Sequence, residues 1–263
     1  MPALSQIALR SLLSGTALIA ATSAALAMPA VGLADGKTLV MFDTETLAVS
    51  GTMDVTGVDA LAGIDVRPAD MMLYGVTLTG DVVTIDLATG AATVKSTLSE
   101  KLASYEGAIV DFNPKADRLR LMGADGTNHR VNVDDGMVTV DGSLAYQDAD
   151  MHAGEAPAIA AAAYTNSVGT PENTAMFDID TTIVALIQQV SPNDGTLAAI
   201  GKLGVDGGAS YAFDIKAASE GSNTAYLVID NALHTVDLES GAATVVGPVT
   251  GFDGMLGDIA ILP

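Results

Sequence analysis

The strongest constraint on the fold of this chain is that it repeats itself. The segment Val83-Thr84-Ile85-Asp86-Leu87-Ala88-Thr89-Gly90-Ala91-Ala92-Thr93-Val94 returns 151 residues later as His234-Thr235-Val236-Asp237-Leu238-Glu239-Ser240-Gly241-Ala242-Ala243-Thr244-Val245. That offset equals about three periods of roughly fifty residues, the range of propeller blades. Each copy reads as two strands around a tight turn. The Asp accepts backbone N–H groups, the Thr or Ser supports the loop, and the Gly takes the left-handed conformation. A worn copy stands at Met41-Phe42-Asp43-Thr44-Glu45-Thr46-Leu47.

A second element precedes each hairpin. It runs Ala62-Gly63-Ile64-Asp65-Val66-Arg67-Pro68, Ile109-Val110-Asp111-Phe112-Asn113-Pro114, Tyr211-Ala212-Phe213-Asp214-Ile215-Lys216 and Leu256-Gly257-Asp258-Ile259-Ala260. Its aspartates are 46, 103 and 44 residues apart, and the long gap holds a copy without Asp, Ala161-Ala162-Ala163-Tyr164-Thr165-Asn166. The units then read 58–98, 104–145, 157–205 and 206–250. A fifth is split: Met255 to Leu262 supplies a first strand, Thr38 to Val55 the last ones. Pairing the two ends closes a ring and removes exposed sheet edges. The expectation is therefore an all-β chain folded as a five-bladed β-propeller, with a β-sandwich or two small β-domains as the alternative. Aromatic residues are only 4% and Trp is absent, so the core must be built from Val, Ile, Leu, Ala and Met. The irregular stretch from Gln147 to Ala158 reads as an inter-blade loop.

These motifs, with Asp117-Arg118-Leu119-Arg120 and Pro192-Asn193-Asp194-Gly195-Thr196-Leu197, resemble in combination an exported bacterial family, the domain of unknown function 4394. The resemblance covers nearly the whole chain after its N-terminal leader. It implies a propeller-like repeat fold and carries no activity or catalytic residue with it.

The N-terminus reads as an address. One cation, Arg10, precedes the apolar run from Leu12 to Ala20, and small residues follow at Ala25-Leu26-Ala27. This is the pattern of a secretory signal peptide occupying residues 1–34, cleaved after Ala34 or Ala27, with a single domain over 35–263. The run is too rich in Ala, Ser, Thr and Gly for a permanent span, and no later stretch is long enough for one. Export to the periplasm or the exterior is expected, with no stable membrane insertion after cleavage.

The formal net charge is −21, from 32 acidic and 11 basic residues. Such a surface repels a phosphate backbone, which excludes a nucleic-acid partner. There is no Cys, so disulfides, thiol catalysis and thiolate metal sites are excluded too.

In a propeller the first strand of each blade lines the central channel, so Asp65, Asp111, Asp214 and Asp258 are expected to form a ring. They either accept backbone hydrogen bonds that hold the blades in register or converge on a cation. Calcium suits such oxygen ligands, and Asn113 and Asn166 would add neutral ones. Repetition favours the structural role. Arg118, Arg120, His129 and Arg130 read as alternating solvent-facing positions rather than an anion clamp. His152 and His234 are too isolated for zinc. No nucleophile elbow or phosphate loop is present. The functional expectation is a non-catalytic binding or scaffold protein of unknown ligand or protein partner. The alternative is a calcium-dependent, lactonase-like hydrolase using the aspartate ring.

Overall fold

The computed structural model describes residues 29–263, and the segment expected to carry the signal peptide lies outside the described residues up to position 28. The described chain opens with β1 (Pro29–Ala34), β2 (Thr38–Asp43) and β3 (Val49–Asp54). The first full blade holds β4 (Leu61–Arg67), β5 (Met72–Thr77), β6 (Asp81–Ile85) and β7 (Ala92–Thr97). The second holds β8 (Ile109–Asn113), β9 (Arg118–Met122), β10 (Asn128–Val131) and β11 (Val138–Val140). The third holds β13 (Ile159–Tyr164), β14 (Met176–Asp180), β15 (Ala185–Ser191) and β16 (Thr196–Lys202), with β12 (Ala145–Tyr146) added to its rim. The fourth holds β17 (Tyr211–Ser219), β18 (Ser222–Ile229), β19 (Ala232–Val236) and β20 (Ala243–Pro248), and β21 (Leu256–Ile261) ends the series.

Each blade is a meander, and the ring is closed as expected. β21 pairs antiparallel with β1, giving a fifth sheet in the order β21-β1-β2-β3. Leu262 N–H donates to Pro29 O at 2.8 Å and extends the closure by one bond. The innermost strands β21, β4, β8, β13 and β17 neighbour one another in a complete circle. The chain is thus an all-β five-bladed propeller. Three of the closing blade's four strands were expected from the repeats; the fourth, β1, lies inside the stretch assigned to the leader.

The repeated hairpins form for the reasons their residues suggest. Asp237 Oδ1 accepts from Ser240 N at 2.8 Å and Glu239 N at 3.0 Å, and Gly241 has φ +82°. In the worn copy Asp43 Oδ1 accepts from Thr46 N at 2.7 Å, and Leu47 carries the left-handed φ of +60° in place of glycine.

The core is not central. It is divided into five apolar clusters, one in each seam between blades. Ile64 and Leu73 of the first blade meet Val31 and Leu39 of the closing blade, for instance, while Phe213 and Leu227 of the fourth meet Ile179 and Leu186 of the third. Middle strands are therefore covered on both faces. This corrects one expectation. Arg120 is 1% exposed and His129 2%, so neither faces solvent. Among the described residues no helix is long and apolar enough to cross a membrane.

Candidate functional site

All four recurrent aspartates stand on innermost strands: Asp65 on β4, Asp111 on β8, Asp214 on β17 and Asp258 on β21. Each accepts a backbone N–H from the next blade. Asp258 Oδ2 takes Ile64 N at 2.8 Å, Asp65 Oδ2 takes Phe112 N at 2.7 Å, Asp111 Oδ1 takes Tyr164 N at 2.9 Å, and Asp214 Oδ2 takes Ile261 N at 2.6 Å. Asp65, Asp214 and Asp258 also accept the N–H of the residue that follows them. The chain of latches breaks only after the third blade, where Ala163 stands at the position of Asp111.

The same side chains converge. Carboxylate oxygens of Asp65, Asp111 and Asp214 all lie within 4.8 Å of one another, with Asp258 acting electrostatically on Asp65 and Asp111 from the fourth position. Asp111 differs from the rest, because its Oδ2 receives no hydrogen bond among the described residues. Burial pushes the carboxyls of Asp65, Asp111 and Asp258 well above the usual range. The negative charge of Asp214 adds to the rise at Asp65, and those of Asp65 and Asp214 add at Asp111. Asp214 is pushed up to about 6 by burial, against its two N–H donors and nearby Lys216.

The channel has unlike ends. Toward the C-terminal ends of the inner strands it narrows against Pro68, Ser167 and Lys216, whose Nζ donates to Leu262 O at 2.6 Å. Toward their N-terminal ends lies a basin of about 420 Å³ to which all five blades contribute. Its wall carries no charged residue; it is made of small side chains such as Ala62, Ala108 and Ala160, with Thr181, Ser210 and Tyr211.

Other sequence candidates stay outside the channel site. Asn113 Oδ1 caps a turn through Lys115 N and Ala116 N, and Asn166 Oδ1 is taken by Gly221 N and Asn223 Nδ2. Neither joins the ring. His152 pairs with Glu155 at 2.9 Å on the loop before β13, and His234 bonds Ala232 O at 2.9 Å. Asp125 caps its own hairpin turn through Thr127 N at 3.0 Å.

Two arginines hold seams. Arg67 reaches from the first blade to Asp117 at 2.7 Å and Asp134 at 3.2 Å in the second. Arg120 bonds Asp141 Oδ2 at 2.7 Å and Asn128 Oδ1 at 2.8 Å in its own blade, and Tyr164 Oη and Asn193 Oδ1, both at 3.2 Å, in the third. Sequence reasoning missed this role. The available signal was the position of Arg67 and Arg120 on inner and second strands, where both faces are covered.

Compared with known proteins, residues 38–260 match the family model described as domain of unknown function (DUF4394). The chain belongs to the DUF4394 family. The DUF4394 match spans the ring from β2 to β21 and includes all four aspartates. Among curated proteins no sequence relative of this DUF4394 chain is found. A solved structure shares its fold. A protein of unknown function from Bacteroides thetaiotaomicron VPI-5482 is 13% identical with a TM-score of 0.53, over 90% of this chain and 65% of that one. The DUF4394 chain thus spans less than two thirds of that neighbour. A protein of unknown function from Bacteroides caccae is 8% identical with a TM-score of 0.48, over 90% and 99% of the two chains. An auxiliary nutrient binding protein from Bacteroides ovatus ATCC 8483 is 9% identical with a TM-score of 0.46, over 81% and 57%.

Proposed function

We propose that this DUF4394 chain is an exported, non-catalytic binding protein whose ring carries a hard divalent cation in its channel, calcium being the first candidate. The observation that carries the reading is the convergence of three buried carboxylates, one of which, Asp111, keeps an oxygen without a donor. Calcium takes oxygen ligands at about 2.4 Å, so opposed ligands stand about 4.8 Å apart. The oxygens of Asp65, Asp111 and Asp214 fall within that span. Their backbone latches fix the carboxylates before any cation arrives, so little ordering is left for binding to meet. Export rests on the N-terminal pattern of Arg10, an apolar run and small residues.

The thermal midpoint with chelator and with excess calcium tests this. A ligand at a hundredfold excess over its Kd stabilises the folded state by about 2.7 kcal/mol, several degrees for a chain of this size. Asp111→Asn keeps a carbonyl oxygen for Tyr164 N–H, so it is expected to fold and lose the calcium response. No shift at millimolar calcium would leave the aspartates as blade latches alone.

A second reading is favoured by the basin, which gives a substrate room at one mouth of the channel. It is a calcium-dependent, lactonase-like hydrolase with the cation as Lewis acid. Turnover separates the two: calcium-loaded protein that hydrolyses lactones or esters, and stops when Asp111→Asn is introduced, supports the second and overturns the first.

A further inference from the structure

The third blade buries a carboxyl group that the channel does not use. Asp178 on β14 is 0% exposed and Gln189 on β15 is 2% exposed. Asp178 stands opposite Ile187, so Gln189 lies diagonally across the ladder on the same face. Gln189 Nε2 donates to Asp178 Oδ1 at 3.2 Å and to Met122 Sδ of the second blade at 3.1 Å. The contact to Met122 sets the amide's orientation, because turning it over would place Oε1 against a thioether sulfur, which cannot donate. Two buried atoms are then left without partners: Asp178 Oδ2 and Gln189 Oε1. They are the remaining halves of the same two groups.

We propose that Asp178 is a neutral carboxylic acid whose Oδ2–H donates to Gln189 Oε1, closing a cyclic acid–amide pair that acts as a proton-operated latch on the seam between the second and third blades. One proton satisfies both orphaned acceptors, and Met122 ties the pair to the neighbouring blade. Burial is the main cause that raises the Asp178 pKa from the ordinary 3.8 to about 8; Gln189 and Arg120 oppose it and Asp180 adds to it. The charged and titratable groups around the pair are already engaged. Arg120 on β9 is held by Asp141 at 2.7 Å and by Tyr164 Oη on β13 at 3.2 Å. Asp180 on β14 accepts from Tyr146 Oη on β12 at 2.8 Å. On ionisation Oδ2 would confront Oε1 as a second acceptor, and relief would draw Arg120 away from partners that join the two blades.

The direction with pH follows from linkage. The folded chain holds a proton that the unfolded chain releases between 3.8 and about 8. Stability is therefore greatest at the acid end of that window and falls as pH rises through it.

Asp178→Asn tests the pair, because its Nδ2 donates where Oδ2–H did and cannot ionise. The variant is expected to lie close to wild type in thermal midpoint at about pH 4 and to exceed it by a margin that grows to several degrees or more at about pH 9. Equal loss at both values would overturn the proposal, pointing to an ionised Asp178 held by Arg120 or by buried water. Should the variant not fold, the carboxyl 13C resonance of Asp178 in the wild-type protein decides. A protonated position at about pH 6 that moves near pH 8 supports the latch, and a carboxylate position at about pH 6 overturns it.

Discussion

Asp258 shows what one ring aspartate is worth, because it receives Ile259 N at 3.0 Å in its own strand and Ile64 N at 2.8 Å in the next blade. Asp258→Ala leaves a buried N–H without a partner and is expected to lower stability by about 1–3 kcal/mol in urea unfolding, with Asp258→Asn losing less. Arg120→Met removes a buried cation from Asp141, Asn128, Tyr164 and Asn193 at once. It should cost about 3 kcal/mol, whereas Arg118→Ala, at a partly exposed site, stays within about 0.5 kcal/mol. Equal effects of the two arginine substitutions in the same unfolding assay would refute the seam role. The ring aspartates were legible in the sequence because a structural role recurs with the repeat. Arg120 was not, and the reason is physical. The alternation Arg118-Leu119-Arg120-Leu121 separates the two faces of a strand, but both faces of a middle strand in a propeller look onto neighbouring blades. Alternation there distinguishes one seam from the other and says nothing about water. The pairing of Asp178 with Gln189 was equally hidden, since it joins two strands across a ladder whose register no local pattern fixes.

At the scale of elements, the hairpins and their Asp-Gly turns were readable, and β1 was not. Pro29-Ala30-Val31-Gly32-Leu33-Ala34 is apolar and small, the composition of a leader's end and of a strand buried on both faces alike. Ala30 and Val31 are fully buried, and Gly32 leaves the space that the side chain of Leu256 fills. A chain beginning at Asp35 would lose the strand between β21 and β2. Under the proposed export, Ala27 is the one of the two expected cleavage points that is compatible with a closed ring, and intact mass of the secreted product should place its first residue at Met28. Recombinant 35–263 should be less stable than 28–263 by about 5 kcal/mol or more, from the burial of Val31, Leu33 and their neighbours. Equal unfolding midpoints for the two forms would show that β1 is dispensable.

Across the whole molecule, charge and closure act against and for the ring. A net charge of −21 on 263 residues opposes compaction by self-repulsion. Raising sodium chloride from about 0.01 M to about 0.15 M shortens the screening length from about 30 Å to about 8 Å, and the thermal midpoint of chelated protein should rise with it. A flat response would mean that surface charge does not limit stability. Closure has a consequence in time. The closing blade takes its innermost strand from β21 and its other three from β1 to β3, so the strand made last completes the sheet begun first. While the polypeptide is still emerging, four blades can assemble in order, but the opening sheet waits with its channel edge bare. A chain stalled short of Leu256 would keep that edge open to strays and proteases, so emergence of β21 is the step that makes the ring whole.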